Sequence, residues 1–74
     1  MKTFYEFMLT FRGKVIADEQ SKLAEWVFHD HSFPKHSTDY DEISDYLEWN
    51  SPFVNALNVF DELWEVYEEK ELRD

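Results

Sequence analysis

The residues best suited to chemistry in this 74-residue chain are His29, His31 and His36, with Asp30 and Asp39 beside them. A metal held on helices takes ligands four residues apart, so that both face the ion. His29 and His31 are two apart and would diverge by about 200° on one helix. His36 has to fold back across Phe33-Pro34 to join them. The pattern fits imidazoles near a helix C-terminus, where the dipole favours positive charge, better than a zinc site. No metal and no cofactor is expected. Carboxylates are plentiful in Asp39, Asp41, Glu42, Asp45 and Glu48, and again in Glu65, Glu68 and Glu69. A catalytic acid needs a pocket that perturbs its pKa. These acids fall on polar helix faces, which predicts solvated surface. Their spacing lacks the central glycine and terminal glutamate of a calcium-binding EF-hand loop. Ser32, Ser37, Ser44 and Ser51 have no nucleophile-elbow context, and the single glycine, Gly13, cannot build a phosphate-binding loop. The chain is not expected to be an enzyme.

Recognition is the remaining class. The net charge of −10 is unevenly placed. Residues 1–35 carry Lys2, Arg12, Lys14, Lys22 and Lys35 against five acids and sum to zero, whereas residues 36–74 carry twelve acids against Lys70 and Arg73. An acidic field repels phosphate backbones and anionic lipids, so nucleic acid and membranes are poor partners. A protein with a basic patch is the partner such a surface would steer. The candidate interaction surface is Asp41, Glu42, Asp45, Glu48 and Trp49. Trp49 lies near Glu42 and Asp45, off the apolar stripe of its helix. It is either a partner anchor, since tryptophan is enriched at binding hot spots, or it folds over the turn at Pro52. The sequence leaves both open. The alternative is a nucleic-acid-associated role through the neutral N-terminal half, or mimicry of DNA by the acidic face.

Four helical segments position these residues. Thr3-x-x-Glu6 is a capping box, followed by Phe4, Phe7, Met8 and Phe11 on one face. Arg12-Gly13 ends the segment, the glycine being free to take positive φ. Asp18 caps the second helix, whose inner face is Leu23, Trp26 and Val27, widened by Ala24 and Phe28; Tyr5, Leu9 and Phe28 are expected in the core. Ser32-Phe33-Pro34 stops it. Ser37-Thr38-Asp39 offers caps for the third helix, with Tyr40, Ile43, Tyr46 and Leu47 as a narrow apolar stripe. Ser51 and Pro52 predict the start of a fourth helix over roughly residues 52–70. There Phe53, Ala56, Leu57, Val59, Phe60, Leu63, Trp64, Val66 and Tyr67 cover one half of the cylinder, and Asn55, Asn58, Asp61, Glu62, Glu65, Glu68 and Glu69 the other. So wide an apolar face predicts a central helix packed against at least two others.

The fold class is therefore all-α, one helical domain over residues 1–74 in a bundle of four to five short helices. Its core draws on 7 Phe, 4 Tyr and 3 Trp, each ring able to remove on the order of 150–250 Å² from water. There is no cysteine, hence no disulfide framework of the kind small secreted domains depend on. The charged N-terminal stretch is unlike a signal peptide, and no apolar run reaches the roughly 18 residues of a membrane span. A soluble, cytoplasmic, monomeric protein is expected.

Four stretches carry a resemblance. Phe4-Tyr5, Asp30-x-x-Phe33-Pro34-Lys35, Asp39-Tyr40-x-Glu42-Ile43-Ser44-x-Tyr46-Leu47-Glu48 and Phe60-Asp61-Glu62-x-Trp64 resemble the YozE-type family, short proteins of low-GC Gram-positive bacteria. The resemblance spans almost the whole chain. It implies a fold similar to the sterile alpha motif, with one long C-terminal helix, and transfers no catalytic or binding residues. Sterile-alpha-motif domains often associate through an acidic mid-region meeting a basic surface beside the final helix. The acidic mid-region is present here, but the final helix is itself acidic, which argues against head-to-tail polymers.

Overall fold

The helical periodicities take shape as α1 (Phe4–Leu9), α2 (Glu19–His29), α3 (Tyr40–Trp49) and α4 (Ala56–Tyr67), the last running on into a π-helical turn, Glu68–Leu72. The structure is a computed structural model and describes residues 2–13 and 18–72, so Lys14 and Arg73 lie outside the described residues. No strand occurs among the described residues. The principal-axis extents are 32 × 28 × 21 Å. α4 packs against α1, α2 and α3, and α1 packs against α2. The wide apolar face of α4 is used as expected except at Val66, which is exposed at its edge.

Capping decides where the first three helices begin. The Thr3 hydroxyl accepts from the Glu6 backbone N–H at 3.2 Å, while the Glu6 carboxylate accepts from the Thr3 N–H at 2.9 Å, so both halves of the capping box form. Asp18 accepts from the Ser21 N–H at 2.8 Å, and Asp39 from the Asp41 N–H at 3.0 Å. Each satisfies a helix-start donor that has no partner within the helix. α1 ends at Leu9, sooner than Arg12-Gly13, because the Thr10, Phe11 and Arg12 amides bond back three residues to Phe7, Met8 and Leu9 and tighten the chain into a turn. Gly13 then takes φ +79°, the left-handed conformation a side chain resists. Phe11 still meets the face it was assigned to, its ring 5.3 Å from that of Phe7.

The start of α4 departs from expectation. Residues 52–55 form bends and a turn, and the helix opens at Ala56. The Ser51 hydroxyl donates to the Phe53 carbonyl at 2.9 Å. That carbonyl also accepts from the Ala56 N–H at 3.1 Å, closing a turn where a first helical turn was expected. Phe53 is thereby aimed toward the core. The Asn55 side chain, at the cap position, makes no cap bond: its oxygen accepts from the Asn58 side-chain amide at 2.7 Å, and its nitrogen donates to the Glu19 carboxylate at 2.6 Å, tying the start of α4 to the start of α2.

The core is an aromatic lattice centred on Phe4. This fully buried ring lies 5.2 Å from Phe60, 5.3 Å from Trp64 and 5.4 Å from Tyr67, edge-on to the first and last. Such pairs contribute about 0.5–1.5 kcal/mol each beyond area burial. Leu23, Ala24 and Val27 from α2 and Ile43 and Leu47 from α3 complete the core. The Tyr67 hydroxyl donates to the Lys2 carbonyl at 2.6 Å and the Lys2 N–H to Glu71 at 3.2 Å, strapping the two ends of the chain together. Phe28 is a correction: it is 39% exposed and not core, its ring covered on one face by the Arg12 guanidinium 3.5 Å from the centroid. Arg12 also pairs with Glu25 at 3.0 Å, so the three side chains seal the surface between α1 and α2. Tyr5 and Leu9 are half-buried.

Two predictions follow from this packing. Phe4→Ala removes the hub and lowers the unfolding free energy by about 3–5 kcal/mol, a large fraction of the marginal stability of a small domain; urea melts followed by circular dichroism check it, and Phe4→Leu loses clearly less. The second concerns acid. The Thr3 backbone N–H holds the Glu6 carboxyl below its ordinary 4.5. Unfolded Glu6 therefore takes up a proton at a higher pH than folded Glu6. The stabilisation is present above about pH 4.5 and is lost as pH falls through the lower folded value. Glu6→Gln lowers the melting temperature on the neutral side and converges with wild type in acid, which flattens the acid side of the profile.

Candidate functional site

The candidate surface starts from the register of α3. Only Ile43 and Leu47 of its ten residues are buried, so the helix touches the core along a narrow line and gives most of its circumference to solvent. Asp41, Glu42, Asp45 and Glu48 all lie on the exposed side. No ion pair to any of the four occurs among the described residues. Asp41 and Glu42 sit in the first turn, where the positive helix end favours them. Asp45 and Glu48, further along, lack that benefit. Tyr40 is 38% exposed, yet its ring stacks on Phe60 at 5.3 Å and its hydroxyl donates to Asp61 at 2.6 Å. That hydrogen bond, with desolvation, raises its pKa. Tyr40 thus fastens α3 to α4 from the outside.

Trp49 is the last residue of α3 and is 87% exposed. It does not fold over the turn at Pro52; the indole stands in water. It borders a cleft of about 630 Å³ whose lining includes Trp26, His29, Asp30, Tyr46 and Asn50. α2 ends at His29 with Asp30 as its C-cap, and α3 ends at Trp49 with Asn50 as its C-cap, so two helix C-termini open onto the same cleft. Its floor is aromatic. The Trp26 and Tyr46 rings are 6.3 Å apart, and Phe33 meets Tyr46 edge-on at 5.7 Å. The Tyr46 hydroxyl donates to one Asp30 oxygen, and the other accepts from the Ser32 N–H at 3.1 Å. Burial first, then the bond to Asp30 and its charge, push the Tyr46 phenol up to about 12.

The structure brings Trp49 to this cleft and keeps the four acids of α3 on a separate, open face. It also divides the histidines. His29 borders the Trp49 cleft, with its Nε2 3.8 Å from a Glu25 oxygen. His31 and His36 border a different one with Phe33, Lys35 and Glu42. Among the described residues, no three histidine, cysteine or acidic side chains gather as metal ligands. Sequence reasoning assigned Trp26 and Tyr46 to inner faces and Asp30 to the histidine cluster, and so missed that they share a cleft. The available signal was two tryptophans, each in the last turn of its helix, with a carboxylate at one of the two C-caps.

The comparisons agree with this architecture. A family model described as YozE SAM-like fold matches residues 3–69. A UPF0346 protein of Oceanobacillus iheyensis is 62% identical over 48 residues, covering 65% of this chain and 64% of that protein. A UPF0346 protein of Listeria innocua is 42% identical over 66 residues, covering 89% of this chain and 86% of its own. The UPF0346 protein YozE of Bacillus subtilis is 47% identical over 68 residues, covering 92% of each chain. No solved structure matches the chain. No helix among the described residues is long and apolar enough to cross a membrane.

The Tyr46–Asp30 bond welds the end of α3 to the end of α2. Tyr46→Phe keeps the ring and loses the bond, and lowers stability by about 1–2 kcal/mol in denaturant melts. Because the folded state favours the neutral phenol, this stabilisation is complete below about pH 10. It disappears as pH rises toward 12, so wild type and variant converge in alkali.

Proposed function

The chain belongs to the YozE SAM-like family, and on that premise we propose that it is a protein-interaction module whose partner presents a basic patch. The observation that carries this reading is the outer face of α3. There Asp41, Glu42, Asp45 and Glu48 stand exposed with no ion pair among the described residues, and α3 ends in the 87% exposed Trp49. Uncompensated like charges on one helix cost self-repulsion. A complementary partner removes that cost, and the field of a chain of net charge −10 raises the rate of encounter. Trp49 adds an apolar contact of the type that dominates interface energetics.

The same charges support further parts of the reading. An all-acidic final helix disfavours contact between copies, so the module works as a monomer. The absence of cysteine in the sequence suits the cytoplasm. The acids of α3 are exposed to water, which suits binding better than catalysis. On the neutral half, Arg12 is already engaged by Glu25 and Phe28, which leaves little for a phosphate backbone.

Affinity capture from native lysate tests this. Partners taken up at low salt are expected to wash off at raised salt. They are also expected to be lost by the combined Asp41→Asn, Glu42→Gln, Asp45→Asn, Glu48→Gln variant, whose association rate falls on the order of tenfold or more. Capture that is indifferent to salt and to these changes would remove the reading. Oligonucleotide binding in a fluorescence-anisotropy assay at about 50 mM salt would replace it with the nucleic-acid alternative.

A further inference from the structure

The cleft beside Trp49 has a chemistry of its own. Its walls are aromatic, and its fixed charge is the Asp30 carboxylate, which Tyr46 and the Ser32 amide hold in place. Two helix C-termini meet there, each carrying roughly half a negative elementary charge on its last carbonyls. Faces of indole and phenol rings attract cations as well. The carboxylate, the helix C-termini and the ring faces therefore favour positive charge, in a space large enough for one long side chain that His29, Ser32, Asn50 and Ser51 also border.

Two of the chain's own cations are engaged elsewhere. Arg12 is bound to Glu25 and lies over Phe28, and the Lys35 ammonium stands 5.7 Å from the centre of the Tyr5 ring. The imidazole at the rim, His29, leans toward Glu25. Guanidinium and ammonium differ in fit. A guanidinium is planar, stacks on aromatic faces and donates two parallel hydrogen bonds to a carboxylate, whereas an ammonium is a strongly hydrated point charge. Each Asp30 oxygen accepts one hydrogen bond and retains a lone pair for another.

We infer that this cleft seats an arginine side chain of the partner protein, its guanidinium against the rings of Trp49 and Trp26 and paired with Asp30. The inference rests on the interaction-module reading and adds to it the side chain that is recognised. The acidic face of α3 steers the basic partner, and the cleft takes one arginine from it.

The test uses the full chain and small probes. Amide and indole N–H resonances are followed by nitrogen-15 correlation spectra while N-acetyl-arginine methylamide is added into the millimolar range, with the citrulline analogue as an uncharged isostere. Saturable shifts of the Trp26 and Trp49 indoles are expected with arginine, and much weaker ones with citrulline. Asp30→Asn, nearly isosteric, is expected to weaken the arginine response roughly tenfold with spectral dispersion intact. Trp49→Ala, at a site too exposed to disturb the fold, weakens it several-fold. Equal responses to arginine and citrulline, an unchanged response in Asp30→Asn, or shifts confined to the acidic face of α3 would overturn the inference. If the cleft is silent while capture remains salt-sensitive, the arginine site falls and the module reading stands. If the cleft saturates with arginine while capture ignores salt, the module reading falls and the cleft remains a guanidinium site.

Discussion

The structure depends on one ring meeting three. α1 is six residues long, well short of the roughly 12–15 at which an isolated helix becomes even marginal in water. It persists because Phe4 enters the α4 face between Phe60, Trp64 and Tyr67, and because the capping box finishes its first turn. The backbone next to that ring is secured in turn. The Phe4 N–H reaches the Ser37 carbonyl at 3.4 Å, and the preceding Lys2 carbonyl holds the Tyr67 hydroxyl. One side chain thus joins the beginning of the chain, its middle loop and its final helix. A small domain buries a modest share of its surface, and this one meets the shortage by giving its central position to a residue with several aromatic neighbours.

That arrangement dictates where recognition can occur. α4 spends its apolar half on the other three helices, so its acids face outward along its length. α3 lies against this hub on two buried residues, with Tyr40 stacked on Phe60 at one end and Tyr46 bonded to Asp30 at the other. It is a lightly buried helix with firmly fixed ends. Such an element can present charge to solvent without unravelling, and its position relative to α2 is set by the same tyrosine that floors the cleft.

Much of this was legible in the residues, and the exceptions share a cause. The caps at Thr3, Asp18 and Asp39, the half-cylinder of α4 apart from Phe53 and Val66, and the narrow stripe of α3 are local patterns that form as the periodicity requires. Phe28 fits the inner face of α2 by spacing but sits at its edge, where Arg12, thirteen or more residues from Phe28 and Glu25, supplies the cover instead of the core. Ser51-Pro52 carries the right chemistry for a helix start, but the Phe53 carbonyl gathers the Ser51 hydroxyl and the Ala56 amide into a turn, and the helix opens after it. The cleft was invisible because its parts lie in separate elements. Trp26 and Tyr46 obey their helical stripes, Asp30 reads as a terminator, and only the angle at which α2 and α3 end beside each other turns them into one site. Pattern within a helix reports which face is buried; it does not report what two helix ends enclose.

On the proposed reading, the acids of α3 and the cleft act over different ranges, and this division would give the surface its selectivity. At physiological ionic strength an exposed charge is felt over about 8 Å, so the acids of α3 attract any basic surface with little regard to its shape. Such attraction is fast and unselective. A cleft walled by rings, with one carboxylate held by two donors, discriminates by geometry, because a planar cation satisfies ring faces and carboxylate together and a compact one does not. The acids alone would make a weak ion exchanger, and the cleft alone would wait on undirected diffusion. Trp49 stands where the charged face meets the cleft, the last residue of the helix that carries the charge and part of the lining that does the sorting. Its exposure, costly for so large an apolar ring in water, is the local expense that a recognition surface explains and a purely structural role does not.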